Sequence, residues 1–157
     1  MIQRIQTVFL AVVVICMIVT IFLPIWENVN PQTNEKIMLN AFYLIQTRNG
    51  EVTSQSATFY IAILSSVCAL MALYAIFLYN NRLRQMKVVL LNTLFLCGVL
   101  GLMVYFNYQA EEAFGNETPG DYKIGYFLPG VAIISNFFAR RFIKKDEEMV
   151  RSAERMR

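Results

Sequence analysis

Four apolar runs, over residues 8–26, 58–79, 88–108 and 124–143, constrain this chain more than any other feature. Each has about 20 residues, the length an α-helix needs to cross roughly 30 Å of hydrocarbon. Lipid offers no partner to a backbone N–H or C=O, so such a run must close its hydrogen bonds within a helix. A soluble helical domain would show polar residues at every third or fourth position, and these runs lack that period. The apolar share, 57%, also exceeds the about 45–50% of ordinary soluble domains. The sequence therefore predicts an all-α integral membrane protein, a single domain of four transmembrane helices over residues 1–157. Its connections are outer loops at 27–57 and 109–123, a short turn at 80–87 and a tail at 144–157.

Charge sets the orientation. Arg4, Arg82, Arg84, Lys87, Arg140, Arg141, Lys144, Lys145, Arg151, Arg155 and Arg157 fall on one side of the spans. Only Lys36, Arg48 and Lys123 fall on the other, among the acids Glu27, Glu35, Glu51, Glu111, Glu112, Glu117 and Asp121. Lys and Arg accumulate in cytoplasmic segments, so both termini and the 80–87 turn are expected in the cytoplasm. The first run closes with Leu23-Pro24-Ile25-Trp26 and no small-residue cleavage site, which reads as an uncleaved signal anchor.

The first outer loop has its own structural signal. Asn49-Gly50 stands between residues 36–47, rich in β-branched and aromatic types, and Glu51-Val52-Thr53. An Asn-Gly pair in that setting predicts a tight hairpin, because both turn positions need positive φ. A small β-hairpin follows, with residues 26–30 as a candidate third strand. A lone hairpin is marginal in water, so it should pack on the second loop, the membrane surface or a partner. The second loop reads as a solvated acidic rim, since adjacent Glu111 and Glu112 do not share a helix face and a cation site wants more convergent oxygens. Gly115, Pro119 and Gly120 favour turns there. Asn116-Glu117-Thr118 matches the glycosylation acceptor pattern. Tyr105, Phe106, Tyr108, Phe114, Tyr122, Tyr126 and Phe127 form an outer aromatic belt.

Within the spans, Ser65 and Ala69 are four apart, as are Ala62 and Ser66, and the third run repeats the spacing with Cys97 and Gly101. Small residues at this spacing let helices approach closely in lipid, so these faces are expected to meet. Asn92 is expected to hydrogen-bond across to another helix. Pro129-Gly130 predicts a kink in the fourth span. Cys16, Cys68 and Cys97 all lie in spans, which implies no disulfide framework.

These features exclude more functions than they select. The chain has no histidine, the commonest general base and metal ligand. Ser65-Ser66 has no basic partner in any span, and no ionisable residue sits near a bilayer centre, as pumps and coupled transporters require. No catalytic residue, metal site or cofactor is expected. Arg82, Arg84, Lys87, Arg140, Arg141, Lys144 and Lys145 are the candidate contacts for anionic lipid headgroups, worth about 1 kcal/mol each, or for a cytoplasmic partner. Acids interrupt this basic run and no stacking aromatics are interleaved, so nucleic acid is not expected. The favoured function is a non-catalytic inner-membrane component: a subunit, assembly factor or scaffold of a larger envelope complex, with a protein partner in the membrane or periplasm. The alternative is a binder of lipid or a small hydrophobic ligand, or a transporter-like protein, using the kinked fourth span with Ser135 and Asn136. A channel would require oligomers.

The two ends of the chain, Met1-Ile2-Gln3-Arg4-Ile5-Gln6-Thr7 and residues 143–157 (Ile143-Lys144-Lys145-Asp146-Glu147 onward), resemble an uncharacterised family of small four-span inner-membrane proteins of Bacteroidota. The similarity covers the whole chain in layout and is specific at the two ends. It implies an inner-membrane location with loops in the periplasm, makes use of the Asn116 acceptor unexpected, and carries over no catalytic or binding residue. The order of one span, a β-containing outer loop and three more spans is also similar to the claudin layout, although Trp26 stands without any loop cysteine. That second resemblance is one of architecture only.

Overall fold

A computed structural model describes residues 2–30, 35–113 and 120–155. The side chains of Arg4, Phe114, Gly115, Asn116, Glu117, Pro119, Arg155 and Arg157, singled out above, lie outside the described residues. Helix α1 (Ile2–Phe22) leads into strands β1 (Trp26–Asn30), β2 (Glu35–Leu39), β3 (Tyr43–Arg48) and β4 (Glu51–Ala57). Then come α2 (Phe59–Phe77), a 3-10 turn at Leu78–Asn80, α3 (Arg82–Ala113), β5 (Asp121–Tyr122) and α4 (Ile124–Arg155).

Three helical segments are long and apolar enough to cross a membrane: Ile5–Phe22, Phe59–Phe77 and Arg82–Glu112. The fourth helix is 32 residues long, and Arg140 and Arg141 end its apolar part. Helix α1 packs on α2 and α4, and α3 packs on the same two. Val13 and Met17 of α1, Ile61, Cys68 and Ala72 of α2, Leu96, Val99 and Met103 of α3, and Ala132 of α4 share one core. That core continues into Trp26, Ile37 and Leu39 of the sheet. A smaller cluster of Leu10, Ala75, Val89, Ala139 and Ile143 closes the end away from the sheet. The helices are also apolar on the outside, where Phe22, Phe77, Leu70 and Leu94 stand exposed.

The sheet is larger than the predicted hairpin. Five strands run in the order β4-β3-β2-β1-β5, each neighbouring pair antiparallel. The Asn-Gly turn is as expected, with φ of 52° at Asn49 and 86° at Gly50. Residues 26–30 form a strand and pair with both β2 and β5. The run at 36–47 divides, however, because Asn40 N–H donates to Tyr43 O at 2.9 Å and turns the chain. Of Asn40, Ala41 and Phe42 only Asn40 favours turns, a single residue without the Gly or Pro that marks a turn strongly. The buried residues Trp26, Asn28, Asn30, Ile37, Leu39 and Leu44 alternate along β1 to β3 and lay one face of the sheet over the helix ends. Every residue of β4 is exposed.

One further expectation is corrected, and two other features take definite positions. The basic 80–87 segment is mostly helix: the connection is Leu78 to Asn81, and α3 begins at Arg82. Asn81 caps it, with Oδ1 accepting from Arg84 N–H at 3.3 Å, because a short side-chain acceptor satisfies an orphan first-turn amide. The charged tail is helical through Arg155 and continues α4. Pro129 falls in the second turn of α4. The ring removes the helical donor to the Gly125 carbonyl, inside a helix assigned over Ile124–Arg155.

Candidate functional site

Polar and charged side chains gather at the two ends of the helices. At the sheet end, Glu27 organises the ion pairs. Its carboxylate meets Lys36 Nζ at 2.6 Å and Lys123 Nζ at 3.4 Å. The hydrogen bond from Lys36, aided by the charges of Lys36 and Lys123, holds the Glu27 carboxyl below its ordinary range despite partial burial. Lys123 also lies 3.9 Å from Asp121, and Arg48 Nε lies 3.1 Å from Glu35. Glu27 is thereby shared between a strand neighbour and the start of α4.

Close backbone approaches fix the same junction. Lys123 N–H donates to Ile25 O at 3.0 Å, and Gly125 N–H donates to Pro24 O at 3.2 Å. A Cβ on Gly125 would stand 2.6 Å from the Pro24 carbonyl oxygen, and one on Gly120 would fall within the Trp26 indole. Asn107 Nδ2 donates to Tyr122 OH at 3.1 Å, and Thr58 Oγ1 donates to Asn40 O at 2.9 Å. The sheet is therefore tied to α1, α2, α3 and α4 by covalent continuity or hydrogen bonds.

All three basic residues of this end, Lys36, Arg48 and Lys123, are committed to acids. Glu51, Glu111 and Glu112 form no ion pair among the described residues. A cleft of about 380 Å³ opens between the sheet and α3, lined by Leu44, Gln46, Ser56, Phe106, Gln109 and Glu112. Beside it runs β4, the outermost strand. Among the described residues, no group of three His, Cys, Asp or Glu side chains is arranged to hold a metal ion.

At the opposite end, the candidate basic residues do not act alike. Arg84, Lys87, Arg140, Arg141, Lys144 and Lys145 are exposed. Arg82 is not free: its Nε lies 3.0 Å from Asp146 Oδ2, and Nη1 donates to Asp146 O at 3.2 Å. That pair fastens the start of α3 to α4, with side chains only 20% and 12% exposed. Asp146, the first acid after the basic run, is what withdraws Arg82 from the surface. Lys144 pairs with Glu148 at 3.8 Å, one helical turn on. Gln85 Nε2 donates to Ala75 O at 2.9 Å, and Phe9 stacks on Phe138 and Phe142 with ring centroids 5.6 Å away.

Residues 2–156 match a family model described as a domain of unknown function, DUF4293. The chain belongs to that family. No curated protein matches it.

The packing candidates of this DUF4293 member divide between the inside and the outside. Ser65, Ala69 and Asn92 are buried, but Cys97 and Gly101 are exposed and turned away from α2. Positions 92, 96, 99 and 103 are the inward stripe of α3, and positions 97 and 101 lie well around the helix from it. Gly98 makes the close approach instead, where a Cβ would stand 3.3 Å from Leu64 Cδ2. The expected cross-helix amide bond exists, but at another residue. Asn136 Nδ2 of α4 donates to Val89 O at 2.8 Å and to Thr93 Oγ1 at 2.9 Å of α3. Asn92 finds no hydrogen-bond partner among the described residues. Pro129 is buried and Gly130 half-buried, and neither lines the cleft. Sequence reasoning gave Glu27, Asp146 and Gly125 no role, and read Gly120 as a turn former rather than as a seat for the Trp26 indole. Only Asp146 carried a signal, as an acid set directly after Lys144-Lys145.

Proposed function

We propose that this chain is a non-catalytic, four-span component of a bacterial inner membrane, with both termini cytoplasmic. In this reading the sheet is a recognition platform on the periplasmic side, and the protein serves as subunit, assembly factor or scaffold of a larger envelope complex. The observation that supports it is the shared core of helices and sheet, which runs from Met17 and Met103 through Trp26 to Leu39. A surface held this firmly is pre-organised, so a partner loses little freedom in meeting it. The apolar exteriors of the three long helices are the surface that lipid would cover. α4 is the fourth span, since it lies against both α1 and α3, and Arg140 and Arg141 mark its cytoplasmic limit.

The basic end suits anionic headgroups. Arg84, Lys87, Arg140, Arg141, Lys144 and Lys145 are the contacts proposed there, and Arg82 serves the α3–α4 junction instead. A shallow apolar groove along α3, lined by Leu90, Leu91, Thr93, Leu94 and Cys97, ends at Lys87, an arrangement that fits an acyl chain below an anionic headgroup. Crosslinking in native membranes, followed by purification in mild detergent, tests the central reading. A defined protein partner is the expected result. A strictly monomeric protein with no crosslinked component would overturn it.

A further inference from the structure

The outermost strand is open in a way that natural sheets avoid. An edge strand presents unpaired N–H and C=O groups, and soluble proteins commonly blunt it with lysine, proline or a covering segment. Strand β4 reads Glu-Val-Thr-Ser-Gln-Ser-Ala, with no lysine, arginine or proline. It is exposed throughout, and among the described residues its only strand neighbour is β3. The ladder alternates between residues bonded inward and residues bonded outward. Thr58 N–H donates to Phe42 O, and Tyr43 pairs with Ala57, Leu44 with Ser56 and Ile45 with Gln55. Ser54 and Ser56 therefore bond to β3, and Gln55 and Ala57 direct N–H and C=O to the open side. The ladder irregularity opposite Gln46 and Thr47 leaves the stretch nearest α2 as the regular edge.

Charge gives the chemistry of the missing neighbour. Glu112 lines the cleft beside Ser56, and Glu51 opens β4. Neither forms an ion pair among the described residues: Arg48 stands opposite Glu51 in the ladder but pairs with Glu35, and Lys36 and Lys123 pair with Glu27. Alternate side chains of an added strand face the same way, so one set would enter the cleft towards Glu112. A second copy of this chain would bring a second Glu51 and Glu112, which repel the first pair.

We propose that the open side of β4, together with the cleft between the sheet and α3, takes an extended, lysine- or arginine-bearing segment of a partner polypeptide by strand addition. Main-chain bonds to Gln55 and Ala57 supply attachment, and Glu112 and Glu51 select for positive charge. The inference rests on the platform reading above and names what the platform holds.

The test uses the full-length protein in nanodiscs of zwitterionic lipid. The probe is a fluorescent peptide, Thr-Lys-Val-Lys-Val-Lys-Thr, with a glutamate-for-lysine version and a central-proline version as controls. Saturable binding of the basic peptide alone is expected, together with slowed hydrogen exchange at the Gln55 and Ala57 amides. Gln55→Pro removes an outward donor while fixing φ at that residue and restricting Ser54, and Glu112→Lys reverses the cleft charge on a helix outside the strand. Each is expected to weaken binding about tenfold. If Gln55→Pro disturbs the sheet, Glu112→Lys and the exchange data decide alone. Equal binding of the acidic peptide, undiminished binding by Glu112→Lys, or unchanged exchange at Gln55 and Ala57 would sink the idea. So would concentration-dependent dimers that protect those amides without peptide, since the edge would then belong to a second copy. A native crosslinked partner that both variants retain would end strand addition and leave the platform reading standing.

Discussion

Glu27 shows how much one carboxylate can organise. It follows the buried Trp26 and meets Lys36 and Lys123, which lie far from it in sequence. Its carboxyl is held below the ordinary value of 4.5, chiefly by the Lys36 hydrogen bond. A depressed carboxyl stabilises the fold above its unfolded value, and the contribution is lost as pH falls through the lower, folded value. Hydrogen-exchange protection of β1 and β2 is therefore expected to decline as the solution is taken below about pH 4.5. Glu27→Gln should remove that decline and cost about 1 kcal/mol at neutral pH. The two buried asparagines make a second contrast. Asn136 holds α4 to α3, so Asn136→Leu should lower the unfolding transition in detergent by roughly 0.6 kcal/mol. Asn92→Leu should raise it, because the buried amide makes no bond that the substitution could remove. The opposite order would show that Asn92 carries the contact.

At the scale of elements, the two glycine-containing signals fared differently because they depend on different things. The Asn49-Gly50 turn is a local demand: both residues sit at positive φ. Gly50→Ala should cost about 1 kcal/mol, read as lost exchange protection confined to the β3–β4 ladder. The spacing of Cys97 and Gly101 fixes only that they share a face of α3, not what that face meets. Gly101 has open space where its Cβ would be. Gly101→Leu is therefore expected to leave stability within about 0.5 kcal/mol, measured by thermal unfolding. A large loss would mean that this face packs closely against another chain. The split of residues 36–47 into β2 and β3 was hidden for a related reason. Asn40 turns the chain through a bond to Tyr43 that a single strand could not make, and a lone asparagine is a weak turn signal beside an Asn-Gly pair.

For the molecule as a whole, the charge distribution makes the prediction. With the native cysteines replaced, Thr53→Cys should label with an impermeant maleimide in intact cells whose outer membrane is permeable to it. Arg84→Cys should label only after the inner membrane is opened. The reverse pattern would invert the orientation. The same experiment at Lys145→Cys tests α4 as a span, since its label must report the same side as Arg84→Cys. The Arg82–Asp146 pair fits that arrangement, because it joins the start of α3 to α4 at the basic end.

The long apolar helices, the basic and acidic ends and the Asn49-Gly50 turn are legible in the sequence alone. These follow from composition, spacing and local backbone preference, which act within about 20 residues. Only the tertiary structure decided that Arg82 is spent on Asp146 and that Asn136 rather than Asn92 bridges helices. It alone decided that Cys97 and Gly101 face outward, and that the second outer loop lends a strand to the first. Each depends on which residues distant in the chain become neighbours. That in turn is set by how four helices and a sheet bury their surfaces together. The bare edge of β4 is of this second kind. Its composition is legible residue by residue, but that its outer side meets no further strand among the described residues emerges only once β3, β2, β1 and β5 have taken their places.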